Sequence, residues 1–127
     1  MKKTVRKVKN LALALGFFSA LAILLTGCPT EEFEAISIDG IDLSSTADGT
    51  YEGAYDTSMV KATVAVTVAA NRITVIKILR HDNGMGKKAE AIVDRVIDAQ
   101  RTKVDTVSGA TGSSLVILKA IERAVAK

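Results

Sequence analysis

Between Lys61 and Val68 the chain alternates without a slip, with Ala62, Val64, Val66 and Val68 on one side and Lys61, Thr63 and Thr67 on the other. A period of two in β-branched residues marks a strand with one face on a core and the other in water. Such a strand needs partners, because an isolated ribbon is marginal in water. Candidates flank it. Tyr51 to Tyr55 reads as a short strand interrupted at Gly53, and Asn71-Arg72 marks a turn. Ile73 to Arg80 is apolar on both faces, as expected of a strand covered on both sides.

The period then changes. Ala89, Ile92, Val93, Val96 and Ile97 recur at helical spacing, while Lys88, Glu90, Asp94, Arg95 and Asp98 take the opposite side. After an extended stretch from Thr102 to Val107, a second helix is predicted from about Ser113 to Ala126. Its stripe of Ile117, Leu118, Ile121, Ala124 and Val125 should face the core, with Lys119, Glu122 and Arg123 in water. The expectation is an α+β domain over residues 49–127, a small antiparallel sheet of about three or more strands packed with two main helices.

The chain begins differently. Lys2, Lys3, Arg6, Lys7 and Lys9 precede an uncharged apolar run from Leu11 to Leu25, the pattern of an export leader over residues 1–27. The run is shorter than the ~20 residues a membrane-spanning helix requires. Leu25-Thr26-Gly27-Cys28 resembles the bacterial lipobox, which implies cleavage before Cys28 and lipid attachment to its sulfur. Cys28 is the only cysteine, so no disulfide is available. Without the leader's five basic residues, 12 Lys and Arg face 14 Asp and Glu, and the basic balance that would suggest nucleic acid disappears. Residues 28–48 are acidic and turn-rich and read as a tether, whose random-coil span is roughly 25 Å. The expected location is the outer face of the cytoplasmic membrane, or a periplasmic membrane surface.

Within the domain, no paired carboxylates, Ser/His/Asp set, GxxxxGK[ST] loop or metal-ligand cluster is evident. No aromatic platform for single-stranded nucleic acid exists either, with three Phe, two Tyr and no Trp. The lone His81, which opens the Gly84-Met85-Gly86 loop, is on residue type alone a solvated loop histidine. The remaining feature is Asp105-Thr106-Val107-Ser108-Gly109-Ala110-Thr111, followed by Gly112-Ser113-Ser114. It lies where an extended segment enters a helix, and unpaired N–H groups with the helix dipole favour an anion there. Gly109 permits positive φ and close approach, while Thr111, Ser113 and Ser114 add hydroxyls. The same residues equally suit an ordinary cap, with Thr111 or Ser113 at the N-cap position.

The seven residues from Asp105 match the D-x-x-[ST]-G-A-T pattern at which a dedicated, magnesium-dependent flavin transferase esterifies a threonine with FMN. The chain resembles the FMN-binding domain of the flavin subunits of sodium-pumping NADH:quinone reductase and Rnf complexes, in its small extracytoplasmic form. "DGTYEGAY" from Asp48, "HDNGMGKKAE" from His81, "DRVIDAQ" from Asp94 and "VSGATGSSLVILKAI" from Val107 share the resemblance, which covers Asp48 to Lys127. Larger members often place Thr-Pro before the Gly-rich loop, where this chain has Asn83.

The resemblance implies that Thr111 carries the FMN phosphate, that Ser108, Gly109 and Ala110 line it, and that Asp105 helps present the motif to the transferase. Ser113 and Ser114 would donate to phosphate oxygens. Gly84, Met85 and Gly86 would lie against the isoalloxazine, with His81 at its edge. It implies a lipid-anchored flavoprotein passing electrons from a membrane donor, such as a quinone-linked one, to a redox partner or an external acceptor. The flavin carries that chemistry, so no catalytic side chain or metal is needed. A reductase acting directly on a small substrate and a binding lipoprotein without flavin are the alternatives.

Overall fold

The alternating strand is the middle of three. In the computed structural model, which describes residues 31–83 and 86–126, β1 (Gly49–Asp56), β2 (Lys61–Ala69) and β3 (Arg72–Asp82) form an antiparallel meander in the order β1-β2-β3. The expected leader, Cys28, Gly84 and Met85 lie outside the described residues. A four-residue α1 (Glu31–Glu34) precedes the sheet; a 3-10 turn (Lys87–Ala91) leading into α2 (Ile92–Ala99), then α3 (Thr111–Val125), follow it. This is the expected α+β arrangement.

Ala62, Val64, Val66 and Val68 of β2 are at most 1% exposed. Their neighbours on β1 are Tyr55, Gly53, Tyr51 and Gly49, and on β3 His81, Ile78, Ile76 and Ile73. The inward residues of β3 are therefore unevenly spaced. Two irregularities in the β2–β3 register, at Thr63/Val64 and Thr67/Val68, each insert a residue into β3 and keep its apolar set on the core side. Val75 and Leu79, at 43% and 51% exposure, project outward. The expectation that β3 is covered on both sides is thus corrected: it is an edge strand, and the bulges hide its alternation. The β2–β3 turn is made by Ala70 and Asn71, whose φ angles of 50° and 59° fit the type I′ hairpin. Arg72 already belongs to β3.

α3 lies across the inner face of the sheet and buries Val116, Ile117, Leu118 and Ile121 to within 1% of full burial. Burying each such side chain contributes about 1.5–3 kcal/mol. Gly53 does not interrupt β1, which runs straight through it. A Cβ there would overlap the backbone of Ala120 and Ala124, so the glycine lets helix and strand approach closely.

Residues 32–48 do not hang free. They belong to the same compact unit as the sheet, Glu32–Lys127, and bury Ile36, Leu43 and Thr46. A polar clasp holds them to α3. Glu122, only 6% exposed, accepts from the Gly40 N–H (2.6 Å), the Asp39 N–H (3.3 Å), the Thr102 hydroxyl (2.8 Å) and Lys119 Nζ (3.1 Å). Lys119 also donates to Ser37 O and to Asp39 Oδ2, both at 2.7 Å. The helical pattern placed Glu122 and Lys119 in water; Glu122 is instead buried and tolerated because four donors fill its acceptor sites. Burial pushes the Glu122 carboxyl up, but the bonds from Thr102, Gly40, Lys119 and Asp39 together outweigh it and hold the group below its ordinary range. The Lys119 hydrogen bond, then the Ser37 hydroxyl, lowers Asp39, and the Asp39 bond in turn raises Lys119.

Candidate functional site

The small-residue segment turns sharply before it becomes α3. The Ala110 N–H donates to Val107 O at 2.9 Å, and Gly109 in that turn has φ 76°, the left-handed value a type II turn requires at its third position. A Cβ on Gly109 would also sit 2.5 Å from Lys88 Nζ. The ammonium therefore rests over the glycine. Ser114, fully buried, staples the turn: its Oγ accepts from the Val107 N–H at 3.0 Å and donates to Ala110 O at 2.8 Å. Arg95 steadies the approach from α2, donating to Asp105 O and Thr106 O at 2.8 and 3.1 Å.

The helix start is left uncapped. Ala110 occupies the N-cap position, where it offers no side-chain acceptor, and the first backbone bond into the helix is made by the Ser114 N–H to Ala110 O. The N–H groups of Thr111, Gly112 and Ser113 thus precede the helical ladder and keep their affinity for an anion. Thr111 is the first helical residue and is exposed. The capping alternative for Thr111 or Ser113 is accordingly set aside by the geometry.

This helix start opens on a cleft of about 470 Å³ that Gly109, Ala110, Thr111, Gly112 and Ser113 line together with Gly86 and Asn83. Phe33, Met59 and Val60 give the same cleft an apolar lining. Ser113 is buried, and its side chain lies in the space a Cβ on Gly86 would need. Gly86 and the helix start therefore meet. Among the described residues, no group of His, Cys, Asp and Glu could hold a metal ion.

Other expected residues fall elsewhere. Ser114 holds the turn from inside and does not line the cleft. Ser108 is exposed at the turn, and Asp105 is exposed beside Arg95 and Lys103, along a neighbouring groove. His81 is not a solvated loop residue: it ends β3 on the core face, opposite Ala62, with its side chain 1% exposed. Its Nδ1 lies 3.2 Å from both Glu90 Oε1 and Asn83 Nδ2, and its Nε2 is buried without a partner among the described residues. The imidazole stands behind Asn83, one residue removed from the cleft. Phe33, Met59, Val60 and Lys88 were not foreseen as site residues. Only Lys88 carried a signal, as a cation two residues after Gly86 within the block that shares the resemblance.

A cleft that joins free N–H donors and close backbone to apolar side chains, with the Lys88 ammonium over the adjoining Gly109, suits a phosphorylated ring system such as a flavin nucleotide. The chain belongs to the FMN-binding domain family, whose family model matches residues 58–126. An uncharacterized protein of Treponema pallidum (strain Nichols) is 32% identical to it over 79 residues, which make up 60% of this chain and 22% of that protein.

Proposed function

We propose that the domain carries FMN covalently on Thr111 and serves as an electron carrier moored to the outer face of a membrane through Cys28. The observation that carries this reading is Thr111 itself, an exposed hydroxyl on the first residue of an uncapped helix, lining the cleft within the family-matched region. Attachment is a phosphoryl transfer: the Thr111 Oγ1 forms a P–O bond to the flavin-bearing phosphorus, loses its proton, and the donor's leaving group departs. The resulting phosphodiester keeps one negative charge. The N–H groups of Thr111, Gly112 and Ser113 and the Lys88 ammonium would offset it.

Bound in this cleft, the flavin would supply reversible electron transfer, which no side chain of the chain provides. The protein's part is to hold the ring against an apolar wall, keep the phosphate on the helix start and leave one side open to partners. Outside the cytoplasm, a covalent bond removes loss of the cofactor by dissociation. The lipobox and leader pattern support that location. The partners under this reading are the flavin transferase, with magnesium, and a membrane donor or a redox protein.

Intact-mass measurement after co-expression with a flavin transferase and magnesium should show the gain of one FMN less one water. Thr111→Ala should show none. Equal covalent uptake by Thr111→Ala would overturn the assignment.

A further inference from the structure

Phe33 lies far outside the family-matched residues 58–126, yet it lines the same cleft as Thr111. Its ring packs on the first turn of α3: a Cβ on Gly112 would approach Phe33 ring carbons to 3.0–3.1 Å, so the glycine makes room for the ring. The neighbouring residue fixes this position. The Glu32 carboxylate accepts from the Ser58 N–H at 3.1 Å and the Ser58 hydroxyl at 2.5 Å, tying the strap before Phe33 to the β1–β2 hairpin. That hairpin is closed by Thr57, whose N–H donates to Val60 O at 2.8 Å and whose Oγ1 accepts from the Val60 N–H at 2.9 Å. It presents Met59, 57% exposed, beside the same cleft. Two separate segments thus converge on one apolar wall, and each is held by its own hydrogen bonds.

We infer that Phe33 is a flavin-binding residue supplied by the strap that precedes the family-matched residues, and that the isoalloxazine of FMN lies against its ring. The inference rests on the proposed cofactor site and adds its ring-side contact. A planar heteroaromatic is the occupant the wall fits. A group held on Thr111 shares the cleft with Phe33, which packs on the next residue, and the ring's flat face matches an aromatic side chain and a flexible thioether, both of which favour π-systems. The strap thereby becomes part of the cofactor site as well as part of the core.

The test uses flavin emission, which a tryptophan in van der Waals contact quenches by electron transfer and a distant one does not. The chain has no tryptophan of its own. Full-length Phe33→Trp, Phe33→Ala and Leu79→Trp are each loaded by the transferase and checked for complete attachment by mass and for folding by thermal melting. Leu79, on the outward face of β3, serves as the remote control. Phe33→Trp should lower flavin emission several-fold relative to wild type and Leu79→Trp should not, while Phe33→Ala should make the flavin several-fold more accessible to iodide quenching. Emission from loaded Phe33→Trp equal to that of Leu79→Trp would overturn the inference with the cofactor assignment intact. Should the wild type take up no covalent flavin, the Thr111 linkage fails separately, and the same comparison with non-covalently bound FMN decides Phe33. Failure to bind FMN in either form would overturn both.

Discussion

Glu122 is the residue whose position a helical wheel misjudges most. Lys119 lies one turn before it on α3 and Arg123 beside it, so the glutamate reads as part of the solvent face. Its burial depends on four donors, two of them main-chain N–H groups of residues 39 and 40, that no local pattern connects to it. Because the folded carboxyl titrates below its ordinary value of 4.5, its contribution to stability is complete above that value and is lost as pH falls through the lowered one. Glu122→Gln should therefore lose less stability than wild type on acidification from about pH 5 to 3, as read from urea midpoints. At neutral pH, Glu122→Ala should cost about 1–3 kcal/mol, since it leaves the buried Thr102 hydroxyl and the Gly40 N–H without an acceptor. The turn at Gly109 and the helix start that follows it are easier to read. Their chemistry sits in consecutive residues, whereas the Glu122 clasp is assembled from three distant segments.

At the scale of elements, legibility follows regularity. β2 obeys its period from end to end and is recognisable at sight, and the apolar stripes of α2 and α3 emerge where expected. β3 is misread because two bulges interrupt its alternation, so that Ile73, Ile76, Ile78 and His81 share a face at spacings no single period describes. His81 suffers by the same mechanism: counted from the sequence it opens a loop, but its place after a bulge turns it inward. Gly53 reads as a break in β1 although it is the strand's point of contact with α3. Gly53→Ala forces a methyl group into the helix backbone and should destabilise the fold by about 1–3 kcal/mol, or displace α3. Urea denaturation gives the first quantity. A shift of α3 would register as reduced flavin uptake, because the same helix begins at Thr111.

For the molecule as a whole, the surprise is where the domain starts. Composition marks residues 28–48 as a spacer because they are acidic and rich in turns, and single buried residues such as Ile36 and Leu43 carry no periodicity that would betray them. Packing ties residues 32–48 to the core through Ile36 and Leu43, with Phe33, Ile38 and Ile41 packed against it. A chain beginning at Gly49 should melt well below one beginning at Glu31, since each of Ile36 and Leu43 contributes about 1.5–3 kcal/mol by burial and Glu122 would lose two of its donors. Comparing the thermal midpoints of the two chains checks this. Equal midpoints would return the stretch to the status of a spacer.

The same packing shortens the leash. Anchored at Cys28 as proposed, the domain has only residues 29–31 between the lipidated cysteine and Glu32, where the compact unit begins. An extended chain gains at most ~3.6 Å per residue, so this stub reaches roughly 14 Å. Phe33 is the next residue, and it borders the cleft proposed for the flavin. A carrier moored as proposed would not swing out to collect and deliver electrons. It would work as a fixed stepping stone at the lipid headgroups, pivoting in place, and whatever exchanged electrons with it would have to come to the membrane to do so.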